Sequence, residues 1–416
     1  MSVGPQCMER SDRRWLVRAV LPSADPPGSN GVGPVFRVSR VAVSPPGQSS
    51  SLPPHVSGEL FLGDGPLRGR FWGFVAAEGG TLEPLDWISM VGPGMYRVLP
   101  ENSRALDDPA PAAADIDRWS RTIGALNGVS VWRRVVRLKV AVIGASRTGT
   151  LAGVTLARHG LRELTIIDDD DVENNSLGEA DAFTEADVGH PKAAALAKHI
   201  RGILPSSGPY VVNPVIAPIT APEAIQAAKN ADVLFLCVDH DSPRLCASML
   251  GVYYQKVVVD IGSGVHFGAG PVPGPRPDDV LPERTMGADL RLVVPGTPGC
   301  LLCRGGGLAR GVQAVEDLSR GSSTRRPSDF RGHRAGSLRA LNQASVGLAV
   351  QLLVDLVCRR VSATTWLRLE FSSQGILSVR YPAPAVSSAE CPLCARAGLG
   401  DAAFNGGPKV DVPFRA

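Results

Sequence analysis

Aromatic side chains are scarce in this sequence, 5% of its 416 residues, so its core must be mainly aliphatic, drawn from an apolar share of 44%. An excess of charge of one sign is missing too. Forty-three basic residues meet 40 acidic ones, and a formal net charge of +3 gives no electrostatic argument for nucleic acid or for a membrane surface. No stretch approaches the roughly 20 consecutive apolar residues of a membrane span, and no apolar run of signal-peptide length opens the chain. The expectation is a cytosolic protein that engages neither membrane nor nucleic acid. In a reducing compartment the eight cysteines are poor disulfide candidates. Four of them stand as two Cys-x-x-Cys pairs, which points to a metal instead.

Glycine and proline are abundant, 46 and 35 residues, and much of the proline lies in 22–54 and 269–282, which read as loops. Residues 1–115 carry short β-like runs separated by Gly/Pro/Ser clusters: Trp15–Val20, Val35–Val43, Gly58–Leu62, Arg70–Val75 and Trp87–Val91. They predict a small β-rich domain, closed by the Ala/Pro/Asp linker Asp107–Asp115. Over 116–416 the texture changes. Val140–Ile143 is a continuous apolar run, as expected for a strand buried on both faces of a parallel sheet. Helix Gly149–His159, strand Leu164–Ile167, helix Pro191–Ile203, strand Tyr210–Ile216, helix Pro222–Lys229, strand Val233–Cys237, helix Pro243–Tyr253 and strand Val257–Asp260 follow. This alternation predicts an α/β fold with a doubly wound, mostly parallel sheet. Beyond it come Leu290–Val294, a Gly/Arg/Ser-rich stretch from Arg304 to Arg334, a helix near Leu338–Arg359, and strands Trp366–Phe371 and Ile376–Tyr381.

Gly144-Ala145-Ser146-Arg147-Thr148-Gly149 follows the first of these strands and opens a helix. It is a glycine fingerprint with serine in the middle. Gly144 permits a tight turn, Gly149 permits close helix–strand packing, and the helix N-terminus offers N–H groups to phosphate. Asp168, ending the second strand, is suited to a ribose hydroxyl. An ordinary nicotinamide-dependent oxidoreductase would explain these residues equally well.

The next stretch separates the two readings. Asp168–Glu173, Asn174-Asn175-Ser176-Leu177 and Val188-Gly189-His190-Pro191-Lys192 follow in order, and Asp239-His240-Asp241-Ser242-Pro243-Arg244 comes later. Upstream stands Arg118-Trp119-Ser120-Arg121-Thr122-Ile123. Over roughly 116–395 this series resembles the ThiF/MoeB superfamily, the fold of ubiquitin-activating enzymes. The resemblance implies adenylation: the C-terminal carboxylate of a ubiquitin-like or sulfur-carrier protein attacks the α-phosphate of ATP, and pyrophosphate leaves. It implies Gly144, Arg147, Gly149, Asp168, Asp170, Asn175 and Ser176 around the nucleotide, with Lys192 on the phosphates and Asp239 holding Mg²⁺. It implies a homodimer whose Arg121 enters the neighbour's site, and a conjugating enzyme as a further partner. The sequence departs from the family at Ser176, where the family has asparagine, and at Glu179, where it has arginine; Arg147 or Arg244 is the candidate replacement cation.

Cys300, Cys303, Cys391 and Cys394 give four thiolates, enough for a closed tetrahedral Zn²⁺ site of structural type. No cysteine stands within Arg304–Arg334, where the resemblance implies the thiol of thioester-forming members, and Cys237, Cys246 and Cys358 read as core thiols. Parts of residues 12–100 faintly resemble JAB/MPN domains, without the His-x-His of their peptidases, since His55 stands alone. A rival outside the enzymes is a scaffold that binds ubiquitin-like and conjugating proteins without adenylating anything; Ser146, Glu179 and the missing thiol favour it.

Overall fold

The computed structural model describes residues 6–11, 14–20, 36–41, 58–63, 68, 70–76, 82–103, 110–205, 208–267, 284–304, 338–372, 375, 377–382, 391–400 and 403. The Arg304–Arg334 stretch beyond its first residue, and His55, lie outside them.

The N-terminal strands are β1 (Gln6–Ser11), β2 (Arg14–Val20), β3 (Phe36–Val41), β4 (Gly58–Gly63), β5 (Phe71–Ala76), β6 (Leu82–Pro84), β7 (Trp87–Val91) and β8 (Tyr96–Val98). They form two four-stranded sheets, ordered β1-β2-β7-β8 and β3-β4-β5-β6. Three short helices follow, α1 (Ala113–Arg118), α2 (Ser120–Ala125) and α3 (Val129–Val136).

The rest of the chain builds one eight-stranded mixed sheet. Its elements are β9 (Lys139–Ile143), α4 (Arg147–Arg158), β10 (Glu163–Ile167), α5 (Asn174–Leu177), α6 (Lys192–Ile203), β11 (Val211–Val215), α7 (Pro222–Asn230), β12 (Val233–Leu236), α8 (Asp241–Tyr253), β13 (Val257–Phe267), β14 (Arg284–Val293), α9 (Leu301–Arg304), α10 (Arg339–Val357), β15 (Thr365–Phe371) and β16 (Leu377–Arg380). The strand order is β11-β10-β9-β12-β13-β14-β15-β16. Pairings from β11 through β13 are parallel, and those from β13 to β16 antiparallel. The doubly wound expectation holds, with an antiparallel extension on one side.

Two-sided burial explains the apolar strands. In β9, Val140 and Val142 enter one core while Ala141 and Ile143 enter the other; in β12, Val233 and Phe235 oppose Leu234 and Leu236 in the same way. Side chains alternate across a strand, so a strand covered on both faces has no polar position left. Helices α4, α6 and α10 supply the first core, and α7 and α8 the second. Helix α10 is long and apolar enough to cross a membrane by length and composition. It instead packs on α4, β13 and β14, which is why its sequence is apolar nearly all round.

Two expected boundaries shift. The strand expected to end at Asp260 runs to Phe267, and the one expected from Leu290 starts at Arg284. Their added residues pair with each other, Gly262 opposite Asp289 and Gly264 opposite Gly287. Glycines inside a strand hide its pattern from propensity. The close approach has a reason here: a Cβ on Gly287 would lie 2.5 Å from the Leu369 carbonyl. The N-terminal strands join the main sheet's first core through Val91 and Met95, and the Gly94 N–H donates to the Leu356 carbonyl at 2.8 Å.

Candidate active site and metal centre

Strands β10 and β12 flank β9 on opposite sides, and the chain after β9 first winds one way and then the other. That reversal leaves a crevice at the carboxyl ends of β9 and β12, where open α/β sheets bind ligands. Three loops meet there. Residues 144–147 leave β9, 168–170 leave β10 and 237–239 leave β12.

Local sterics account for the glycines. Gly144 has φ +93°, and a Cβ there would lie 2.7 Å from the Cys237 carbonyl; a Cβ on Gly149 would lie 1.8 Å from the Gly144 carbonyl. Ser146 has φ −93°, an angle any residue adopts, so serine is tolerated where the fingerprint has its middle glycine. The turn is held by the Gly144 N–H to the Ile167 carbonyl and the Cys237 N–H to the Ile143 carbonyl, both 2.8 Å. Helix α4 begins at Arg147, two residues earlier than expected.

Asp168 ties two of the loops together. Its carboxylate accepts from the Ala145 N–H at 2.6 Å and the Asp170 N–H at 2.9 Å. Burial pushes its pKa up to about 6, against the pull of those two N–H donors and the Lys192 charge. Lys192 opens α6. Its N–H donates to the Asp170 carbonyl at 2.8 Å, and its ammonium lies 2.9 Å from the Asp170 carboxylate, with only 11% of the side chain exposed. This is a held lysine at the crevice edge, unlike a solvated helix-start residue.

Asn175 and Ser176 sit on α5. Ser176 is buried and works locally: its hydroxyl accepts from the Glu173 N–H at 3.2 Å, one half of a capping box. Asn175 is exposed and its amide donates to Glu173 at 3.1 Å. Glu179 follows, and its carboxylate lies 3.4 Å from the Arg147 Nε. Asp239 and His240 stand at the crevice with 69% of each side chain exposed, 3.6 Å apart. Arg244, a candidate replacement cation, is committed elsewhere. It pairs with Asp260 at 2.9 Å and donates to the Val238 carbonyl at 2.7 Å.

Asp260 was not singled out in the sequence. It is fully buried between Arg244 and Arg291, the latter 2.7 Å away and stacked 4.8 Å from the Trp366 ring centroid. An aspartate closing an otherwise apolar strand was its only signal. Through Arg244 it fixes the carbonyl just before Asp239.

Arg121 is not brought to this crevice. Two residues earlier, the Trp119 indole donates to the Arg158 carbonyl at 3.1 Å, at the C-terminal end of α4, and packs over Gly160 and beside Trp132. The 12 residues of α4 span about 18 Å. Arg121 is exposed at the end remote from the glycine loop.

The four cysteines do converge. Their sulfurs all lie within 4.8 Å of one another, with Cys300–Cys391 at 3.5 Å, Cys300–Cys303 at 3.7 Å and Cys303–Cys394 at 3.9 Å. Tetrahedral Zn²⁺ with bonds of about 2.3 Å places its sulfurs about 3.8 Å apart, so the cluster fits zinc. The Cys300 N–H donates to the Cys303 sulfur at 2.9 Å, and hydrogen bonding to Cys300 holds the Cys303 thiol below the usual thiol range. The cluster sits at the C-terminal end of α8, where the Gly398 N–H donates to the Val252 carbonyl at 3.1 Å. Cys237 and Cys246 are buried, with burial pushing each thiol up to about 12, and Cys358 is half-buried. Core thiols describe the first two well.

A Rossmann-like sheet with a glycine turn at its switch point, and a four-cysteine knot on its tail, define the class of this α/β protein. The ThiF family model matches residues 119–385, well over half of the chain, and the chain belongs to that family. It is 32% identical over 133 residues to the SAMP-activating enzyme E1 of Haloferax volcanii, covering 32% of this chain and 48% of that protein. It is 29% identical over 183 residues to adenylyltransferase and sulfurtransferase MOCS3 of Arabidopsis thaliana, covering 40% of this chain and 38% of that one. The matched segment thus spans less than half the length of these relatives. The microcin C7 biosynthetic enzyme MccB, solved with N-formylated MccA, shares the fold with a TM-score of 0.50 at 17% identity, over 68% of this chain and 77% of that one.

Proposed function

We propose that this chain adenylates the C-terminal carboxylate of a ubiquitin-like or sulfur-carrier protein, using ATP. The observation that carries this reading is the convergence of the glycine turn, Asp168 and Asp170-held Lys192 on one crevice at the switch point of the sheet. The names of the relatives, an E1 and an adenylyltransferase, agree with it. The division of the chain at 115/116 into a β-rich domain, serving as a docking surface, and an adenylation domain belongs to the same proposal, as do a cytosolic location and a conjugating enzyme downstream.

In the reaction, a carboxylate oxygen forms a bond to the α-phosphorus, the bond from that phosphorus to the bridging oxygen breaks, and pyrophosphate leaves. Both reactants are anionic, so the chain must hold them together against repulsion and stabilise the charge that develops. The α4 N-terminus supplies N–H groups, and Lys192 a point charge. Ionised Asp168 accepts from the ribose hydroxyls, and Asn175 and Ser176 border the triphosphate. Asp239, exposed and preceded by the Val238 carbonyl that Arg244 holds, fits a Mg²⁺ ion, which when bound supplies neutralising charge to the phosphates. Arg121 lies too far from its own crevice, which favours a homodimer in which it completes the neighbour's site. The cysteine cluster, remote from the chemistry, would hold zinc as a structural knot.

The test is mass spectrometry of a candidate carrier ending in glycine, incubated with the chain, ATP and Mg²⁺. The carrier is expected to gain one adenylyl group. An unmodified carrier, with ATP bound but unreacted, would favour the scaffold reading.

A further inference from the structure

The proposed function leaves one contact unused. Arg147, beside the glycine turn, pairs with Glu179 at 3.4 Å, Arg147 with 25% and Glu179 with 49% of its side chain exposed. Arg147 is the first residue of α4, directly after the glycine turn, where the helix directs its free N–H groups at an incoming phosphate. Glu179 follows α5 and is anchored by its own N–H to the Ser176 carbonyl at 3.2 Å. An acid on the rim of a site for a polyanion is unfavourable for the ligand unless it serves another purpose.

The geometry points to Glu179 as a positioning residue that holds Arg147 until the phosphates of ATP displace it. This rests on the nucleotide reading above. A half-exposed ion pair is weak and cheap to break, whereas a guanidinium on a phosphate makes paired, charge-assisted hydrogen bonds. ATP therefore competes with Glu179 for one cation. Without the acid, Arg147 is free from the start and ATP binds more tightly. After pyrophosphate departs, Glu179 recaptures the arginine, which favours release of the products.

The test compares Glu179→Gln, Arg147→Gln and the double variant in the full chain, by titration with ATP and with adenosine. Glu179→Gln is expected to tighten ATP about threefold, the size of an exposed ion pair. Arg147→Gln is expected to weaken it about tenfold, as for a charge-assisted contact. Adding Glu179→Gln to Arg147→Gln should then change nothing, and adenosine, which lacks phosphates, should bind all four proteins alike. A purely structural role for Glu179 would shift adenosine together with ATP. The inference is overturned if Glu179→Gln weakens ATP, leaves it unchanged, or keeps its full effect when Arg147 is already gone. A wild-type chain that binds no ATP at all would instead overturn the nucleotide reading itself.

Discussion

The cysteine cluster and the crevice proposed for the nucleotide lie at opposite ends of α8, and their polar groups are satisfied in opposite ways. At the C-terminal end, four sulfurs crowd within 4.8 Å and three of their residues are buried, leaving no room for a reactant. At the N-terminal end, Asp239 and His240 are 69% exposed and Asp170 is 57% exposed. Lys192 and Arg147 are held there by single carboxylates that a stronger anion can displace. Closed donors make a fixture; open, weakly paired ones make a site that exchanges partners. Next to the open end lies the fully buried Asp260, clamped by two arginines, a closed polar cluster beside exposed ones.

The largest effect that would break this comparison is on folding. Cys391→Ser is expected to remove the zinc, one ion per chain in the wild type, and to lower stability by several kcal/mol, about 3 or more, because metal affinity and folding are coupled. Metal analysis and thermal melts check this. Wild-type protein without zinc, with all four thiols alkylated under native conditions, would leave the cluster as a packed thiol core.

Much of the contrast was legible beforehand, for identifiable reasons. The cysteine spacing announces itself because four soft ligands in two pairs have few other uses. Strand β9 and the places of Asp168 after a strand and Lys192 at a helix start were readable because an apolar run, a turn glycine and a helix start are local signals. Pairings that join distant segments were not: Arg147 with Glu179, and Asp260 with Arg291, follow only from how the strands are ordered. The second half of β13 was hidden because its glycines lack the side chains that mark a strand. The exposed position of Arg121, far from the glycine turn, follows from Trp119 packing against the end of α4, a long-range contact that no local signal marks.

A smaller effect sharpens the picture of the open end. Ionised Asp168 is disfavoured by burial, with a pKa raised to about 6. The sign follows: the folded chain binds this proton more tightly than the unfolded one, so Asp168 contributes stability at low pH that is lost as pH rises towards 6. On the proposed reading ATP reverses the preference, since its ribose hydroxyls would donate to the ionised form. Affinity for ATP is expected to fall about tenfold between pH 7 and pH 5, as the ionised fraction drops. Asp168→Asn should bind ATP weakly and lose most of that dependence. A profile unchanged by this substitution would remove Asp168 from the ribose.

The central claim, adenylation in a crevice completed by a second subunit, is tested most directly by carrier-dependent pyrophosphate exchange into ATP. Wild-type chain, Arg121→Ala, Lys192→Ala and a subunit-exchanged mixture of the two variants would be compared. The wild type is expected to exchange, and each variant alone to fall by about 100-fold, as for loss of one charge that stabilises the transition state. The mixture should regain part of the activity, because one crevice of each mixed dimer keeps both Lys192 and a neighbour's Arg121. Exchange undiminished in Lys192→Ala would contradict the site, and a mixture as inactive as its components would contradict the sharing.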